Sequence, residues 1–165
     1  MGQIIIGVMG PGAGASPQEM ETAYALGQRI AECGWVTLTG GRDCGVMDAA
    51  CRGAKSVGGM TVGILPTDNK EAASSSLDIV IPTGMGSARN NINILASDVI
   101  VACGMGAGTA SEVALAIKAQ KSVVLLQSAM KAQEFFLSLD AEQVRIASTV
   151  NETVEQIAEI LSYLA

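Results

Sequence analysis

The sequence predicts an α/β fold: a mainly parallel, doubly wound sheet with helices on both faces, in one domain over residues 1–165. Three observations carry this expectation. Short runs rich in β-branched residues, such as 3–9 and 98–102, lack polar alternation, as strands buried on both faces do. Helical segments of roughly 10–15 residues separate them, the spacing of βαβ units. Glycine-rich turns lead out of several strands and into the helix that follows. Together they describe a Rossmann-like domain, and 165 residues suffice for one real core.

Each element follows in order. Residues 3–9 form a strand and Gly10-Pro11-Gly12-Ala13-Gly14 its turn. Ser16-Pro17-Gln18-Glu19 then combines an N-cap serine, a proline at the first helical position and a glutamate at N3. The stripe Met20, Ala23, Gly27, Ile30 and Ala31 continues that helix, and Gly34 is expected as its C-cap. A strand at 35–39, a Gly40-Gly41 turn, a helix at 45–57 and a strand at 60–65 repeat the cycle. Residues 67–77 read as a polar loop with a flexible serine run (Ser74, Ser75, Ser76), and 78–81 as a short strand. A helix at 87–97, buried through Ile92, Leu95 and Ala96, precedes a strand at 98–102. A turn at 104–108, a helix at 109–120 and a strand at 122–127 come next. The tail holds a short helix at 130–138, an edge strand at 144–148 and a last helix capped by Asn151, with the stripe Val154, Ile157, Ala158, Leu161 and Leu164.

Composition excludes several functions. Hydrophobic residues make up 49% and charged residues 16%, which rules against disorder. With a net charge of −6 there is no long-range positive field to gather polyanions, so no nucleic-acid partner is expected. An anionic ligand needs local capture by backbone amides and one or two arginines. The absence of histidine removes Ser-His-Asp and Cys-His chemistry and every His-containing metal site. Cys33, Cys44, Cys51 and Cys103 form no C-x-x-C pair and read as reduced, mostly buried thiols of a cytoplasmic protein, with no protein-ligated metal. The start, Met1-Gly2-Gln3-Ile4, fits neither a signal peptide nor a myristoylation site, and no apolar stretch of 18 residues predicts a membrane span.

The glycine turns are the candidate site. In a parallel sheet the turns at 10–14, 40–45, 83–86 and 104–108 emerge at one carboxyl edge, where open α/β sheets bind ligands. Glycine lets a ligand approach the backbone amides, and a helix starting behind supplies unpaired N–H groups. A Walker P-loop requires Gly-Lys-Ser/Thr, but Gly108 is followed by Thr109 and Ala110. Residues 10–15 fit the dinucleotide pattern G-x-G-x-x-A, yet the second strand ends at Thr39-Gly40 where the ribose contact calls for Asp or Glu. The ligand expected is a phosphate-bearing small molecule.

The segment Gly104-Met105-Gly106-Ala107-Gly108-Thr109-Ala110-Ser111-Glu112 resembles the P-G-G-x-G-T-x-x-E signature of the lonely-guy family of phosphoribohydrolases. Gly84-Met85-Gly86-Ser87-Ala88-Arg89-Asn90 lies where that family has M-H-E-R-K, and Thr39-Gly40-Gly41 with Gly45-Val46-Met47 is similar to a further glycine motif. The G-M-G-x-A-R-N form and the chain length are closer to a sister group, the molybdenum cofactor carrier proteins. The resemblance spans roughly residues 3–127. In the hydrolases it implies that Gly106, Gly108 and Thr109 hold a 5′-phosphate, while Arg89 and Glu112 form a catalytic pair for N-glycosidic cleavage. Here Ser87, Ala88 and Asn90 replace the His, Glu and Lys of the family motif, which favours a non-catalytic carrier of molybdenum cofactor. The cofactor is then cargo, held by Gly12, Gly40, Gly41, Gly84, Met85, Arg89, Gly104, Met105, Gly106, Gly108, Thr109 and Glu112. The alternative is a phosphoribohydrolase acting on a nucleoside 5′-monophosphate. The resemblance also implies a homo-oligomer, dimer or tetramer.

Plainer roles compete with these. Thr109-x-x-Glu112 is itself a capping-box pattern, so Glu112 would return a hydrogen bond to the cap amide. Arg89 stands in the first turn of its helix, where the macrodipole opposes a cation, which argues for anion binding over a structural role. Arg42 is a second candidate anion contact, or else a solvated turn residue. Met85 and Met105 are placed either to pack on a flat heterocycle or to fill gaps in a core poor in aromatics.

Overall fold

The computed structural model describes residues 2–164, with the side chain of Leu164 outside the described set. Among the described residues, seven strands form one sheet in the order β4-β3-β2-β1-β5-β6-β7, and every neighbouring pair is parallel. The strands are β1 (Ile5–Met9), β2 (Val36–Thr39), β3 (Thr61–Leu65), β4 (Ile79–Pro82), β5 (Val99–Cys103), β6 (Val123–Leu126) and β7 (Val144–Ala147). The helices are α1 (Pro17–Glu32), α2 (Gly45–Ser56), α3 (Arg89–Ala96), α4 (Ala107–Lys118), α5 (Met130–Leu139) and α6 (Val150–Leu164). The predicted Rossmann-like α/β fold is the one observed.

Two apolar layers explain the unbroken strand sequences. Val99, Val101 and Cys103 of β5 face α1, α2 and α6, and Ile100 and Ala102 face α3, α4 and α5. Both faces of the central strands are covered, so neither face needs polar residues. The chain winds outward from β1 through β2, β3 and β4, then returns to place β5 on the other side of β1. That reversal opens a crevice between the carboxyl ends of β1 and β5.

Helix α1 starts as expected: Ser16 Oγ accepts from Glu19 N at 3.2 Å, and the Glu19 carboxylate accepts from Ser16 N at 2.7 Å. Its C-cap is Cys33, and Gly34 (φ 76°) sits one residue beyond it. Helices α1 and α2 approach closely because two positions lack a Cβ. A Cβ at Gly27 would strike the Ala50 carbonyl oxygen, and one at Gly53 the Tyr24 carbonyl oxygen.

Several boundaries depart from the sequence expectation. Helix α4 begins at Ala107 rather than 109, because glycine is tolerated in a first turn whose free N–H groups need no side chain. Asn151 lies inside α6. The cap there is Thr149, whose Oγ1 accepts from Glu152 N at 3.1 Å, while the Glu152 carboxylate reaches Ser148 N at 2.7 Å. On α6, Ala158 is exposed and Ile160 is buried in its place. The segment before α3 is a 3₁₀ turn (Gly86–Ala88), which rotates the helix phase, so Asn93 and Ile94 are buried and Leu95 is 58% exposed. The serine run is anchored: Ser74 is buried, donates to Asp48 at 2.6 Å and accepts from Ser76 N at 3.1 Å. Of the cysteines, Cys51 and Cys103 are buried, Cys44 is half-buried and Cys33 is exposed. Burial pushes the Cys51 thiol up to about 11 and the Cys103 thiol to about 12, so both stay protonated near neutrality. No helix among the described residues is long and apolar enough to cross a membrane.

Candidate functional site

A cavity of about 420 Å³ opens at the carboxyl edge of the sheet, over the β1/β5 crevice. Its volume is in the range of small-molecule sites. Gly10, Pro11 and Gly12 after β1 line one wall, and the start of α4, Gly106 to Thr109, lines another. Arg42 after β2, Met47 of α2, Pro66 after β3, Gly86, Ser87, Arg89 and Asn90 at the start of α3, and Glu112 of α4 complete it.

The α4 terminus carries the free donors. Gly106 is the N-cap and no side chain among the described residues caps the helix. The first intrahelical bond is Ala110 N to Gly106 O at 2.8 Å, which leaves the preceding N–H groups without helical acceptors. Thr109 is therefore inside the first turn, and the capping box expected from Thr109 and Glu112 does not form. The Glu112 carboxylate instead accepts a hydrogen bond from Asn93 Nδ2 of α3 at 3.0 Å. A second bridge, Asn90 Nδ2 to Ser111 Oγ at 2.9 Å, also ties α3 to α4. These bonds join residue pairs 21 and 19 positions apart in sequence.

Arg89 is the first residue of α3 and only 7% exposed. Its buried Nε has no hydrogen-bond partner among the described residues. Thr83 Oγ1 donates to Leu65 O, and Gly86 N to Pro66 O, so the turn before α3 is fastened to the end of β3. The guanidinium lies against Gly40, where a Cβ would run into Nη1. Burial lowers the Arg89 pKa; nearby Glu112 offsets this in part, and Arg42 adds to the lowering. The group remains a cation at neutral pH. Burial also raises the Glu112 carboxyl above its ordinary range, against the Asn93 hydrogen bond and the Arg89 charge. The arrangement pairs a desolvated cation with open helix amides around a cavity whose single carboxylate resists ionisation. It is built to receive an anion.

Of the residues singled out from sequence, Gly12, Arg89, Gly106, Gly108, Thr109 and Glu112 line the cavity. Gly40, Gly41 and Gly104 are buried and off the lining, with Gly40 backing Arg89 and Gly104 packed on the Glu19 carboxylate. Gly84 and Met85 are exposed outside the lining, and Met105 packs against the α3/α4 core. The methionine at the cavity is Met47. Asn93 was missed, although an asparagine four residues after Arg89 in an otherwise apolar stretch marks the same helix face. Among the described residues, no group of three or more Cys, Asp or Glu is placed to hold a metal ion.

The profile of the SLOG cluster4 family matches residues 3–156. The chain belongs to the SLOG cluster4 family. Solved structures similar to this SLOG cluster4 chain include the molybdenum cofactor binding protein from the phototrophic bacterium Rippkaea orientalis. That chain is 54% identical with a TM-score of 0.96, covering 98% of this chain and 99% of its own. The molybdenum cofactor carrier protein of Chlamydomonas reinhardtii is 51% identical, with a TM-score of 0.92 and coverage of 97% and 99%. A cytokinin riboside 5′-monophosphate phosphoribohydrolase of Mycobacterium marinum is 28% identical over 113 residues, 67% of this chain and 60% of that protein. The likeness to carrier proteins expected from the G-M-G-x-A-R-N segment is thus found over nearly the whole SLOG cluster4 chain.

Proposed function

We propose that this protein binds and carries molybdenum cofactor, a phosphate-bearing pterin, on the carboxyl edge of its sheet, in one ligand-binding domain over residues 1–165. The observation that carries the reading is Arg89: a buried arginine with an orphaned Nε beside the uncapped start of α4. A buried cation without a partner is costly unless a ligand supplies the counter-charge. Gly106, Gly108 and Thr109 cradle the phosphate with backbone amides, Arg89 neutralises it, and Gly12 lets the ligand lie close to the first turn. Gly40 acts by making room for the Arg89 guanidinium, and Gly41 and Gly104 shape the turns behind the site. Similarity above 50% identity to a cofactor-binding and a carrier protein names the cargo.

The test is direct. Purified protein is loaded with molybdenum cofactor, and protection is read by transfer to a cofactor-free acceptor enzyme. Arg89→Ala should weaken binding by at least ~1 kcal/mol, the scale of a charge-assisted hydrogen bond. An unchanged dissociation constant would contradict the site. One observation favours a second reading: Arg89 and the desolvated Glu112 share the cavity, as an N-glycosidic acid or base pair would. Incubation with AMP and N6-substituted AMP separates the two. Release of free base that disappears in Glu112→Gln establishes the phosphoribohydrolase; no turnover leaves the carrier.

The protein acts as a homo-oligomer, a dimer or tetramer, through apolar side chains that α3 and β4 leave exposed. A cytoplasmic location accords with four free cysteines.

A further inference from the structure

Arg42 is not used by a single phosphate at the α4 terminus. It stands after β2, whereas α4 follows β5, and β1 lies between them in the sheet. Two strand spacings put these chain ends roughly 10 Å apart. Both nevertheless line the same cavity, which therefore runs lengthwise across the strand ends.

The backbone of Arg42 is held from both sides. Thr39 Oγ1 accepts from Gly41 N at 3.1 Å, Ser74 N donates to Gly41 O at 2.9 Å, and Asp43 N donates to Ala72 O at 2.9 Å. Arg42 itself forms an isolated antiparallel bridge with Ala73. Arg42 is an exposed residue of the cavity lining, and this clamp fixes the backbone from which its side chain starts. The side chain, by contrast, has no ion-pair or hydrogen-bond partner among the described residues. Asp48, the nearby acid on α2, is taken by Arg52 at 2.8 Å and by Ser74 at 2.6 Å. Arg42 and Arg89 thus face one cavity, and the Arg42 charge adds to the lowering of the Arg89 pKa.

We propose that Arg42 forms a second anion subsite, so that the cavity selects ligands with two separate anionic groups, one a phosphate at the α4 terminus and the other at Arg42. The inference rests on the phosphate cradle proposed above and narrows its ligand class. A phosphate-bearing metal dithiolene belongs to that class, and a nucleoside 5′-monophosphate, with one anionic group, does not.

Alkane-α,ω-bisphosphonates from butane to decane, and alkylphosphonates of the same lengths, test it by calorimetric titration of the full chain. The bisphosphonate whose phosphorus atoms lie about 10 Å apart should bind at least about tenfold tighter than the matching monophosphonate, the ratio that one further charged contact supplies. Arg42→Ala and Arg42→Glu should abolish that preference, whereas Arg89→Ala should weaken both ligand classes. Circular dichroism verifies the fold of each variant. A monophosphonate that binds normally beside a bisphosphonate with no preference overturns the second subsite alone. Equal weakening of both classes by Arg42→Ala also overturns it, by making Arg42 a general attractor. If neither class binds, the cradle itself fails and the inference falls with it.

Discussion

Glu112 shows how a single side chain changes meaning between sequence and structure. The spacing to Thr109 fits a capping box, but the carboxylate turns across to Asn93 of α3, and its hydrogen bond at 3.0 Å is tertiary. Burial is the main influence and raises its pKa, outweighing Asn93 and Arg89. The folded protein therefore holds this proton more tightly than the unfolded chain does. Its contribution to stability is complete below the unfolded carboxylate pKa, about 4.3, and is lost as pH rises through the folded value. Urea unfolding of wild type and Glu112→Gln at steps from pH 4 to pH 7 checks this. The stability of wild type relative to the variant should fall as pH increases, and a difference that grows with pH would refute the assignment. Asp78 has the opposite sign. The Lys55 hydrogen bond at 2.8 Å is first among the influences that hold its carboxyl below the usual range. Its contribution is present above the ordinary carboxylate pKa and lost as pH falls, so the Asp78→Asn difference should close on acidification.

Between elements, the packing of α1 on α2 rests on absent side chains. Gly27→Ala would gain up to ~1 kcal/mol of helix propensity. The new Cβ, however, meets the backbone carbonyl of Ala50, which cannot rotate away. Overpacking of this kind costs about 1–3 kcal/mol, so with the full propensity gain subtracted a net loss of up to ~2 kcal/mol is expected in urea unfolding. A gain in stability would show that the helices separate without cost. Gly27 was readable as a member of the α1 stripe, but its close approach to α2 was not, because the opposing carbonyl lies 23 positions along the chain. The same division runs through the molecule. Strands were legible because β1, β5 and β6 are apolar on both faces, and α1 because Ser16, Pro17 and Glu19 form a local cap. The start of α4 was misplaced because Gly108 looks like turn chemistry and sits in a helix. On the inward face of α3, Ile92 packs on the core as expected, but Leu95 and Ala96 are exposed, because the 3₁₀ turn at Gly86–Ala88 resets the helix phase. For the site, the residues that touch the cavity were largely legible through their glycine context, whereas Asn93 and the wall at Pro66 depend on packing between elements distant in sequence.

At the scale of the whole molecule, the sheet is covered unevenly. Helix α3 packs over β1 and β3, and edge strand β4 projects beyond it. Ile81 pairs with Ile64, a residue of the α3-side core, so Ile81 and Ile79, two residues apart, face the same side. They are 42% and 46% exposed, and Leu95 on α3 is 58% exposed. An edge strand and the helix packed over its neighbour β3 thus each expose large apolar side chains, which a second copy can cover. A second copy of this chain would bury them and cover the β4 edge. Sedimentation equilibrium at micromolar concentration should therefore give a mass that is a multiple of 16.8 kDa. The double variant Ile81→Glu, Leu95→Glu should shift the protein to monomer with an unchanged circular dichroism spectrum, since neither side chain supports the core. A wild-type monomer at these concentrations would refute the assembly. An oligomer that persists in the double variant would move the interface to another face, the first alternative being the exposed Met130, Phe135 and Leu139 of α5.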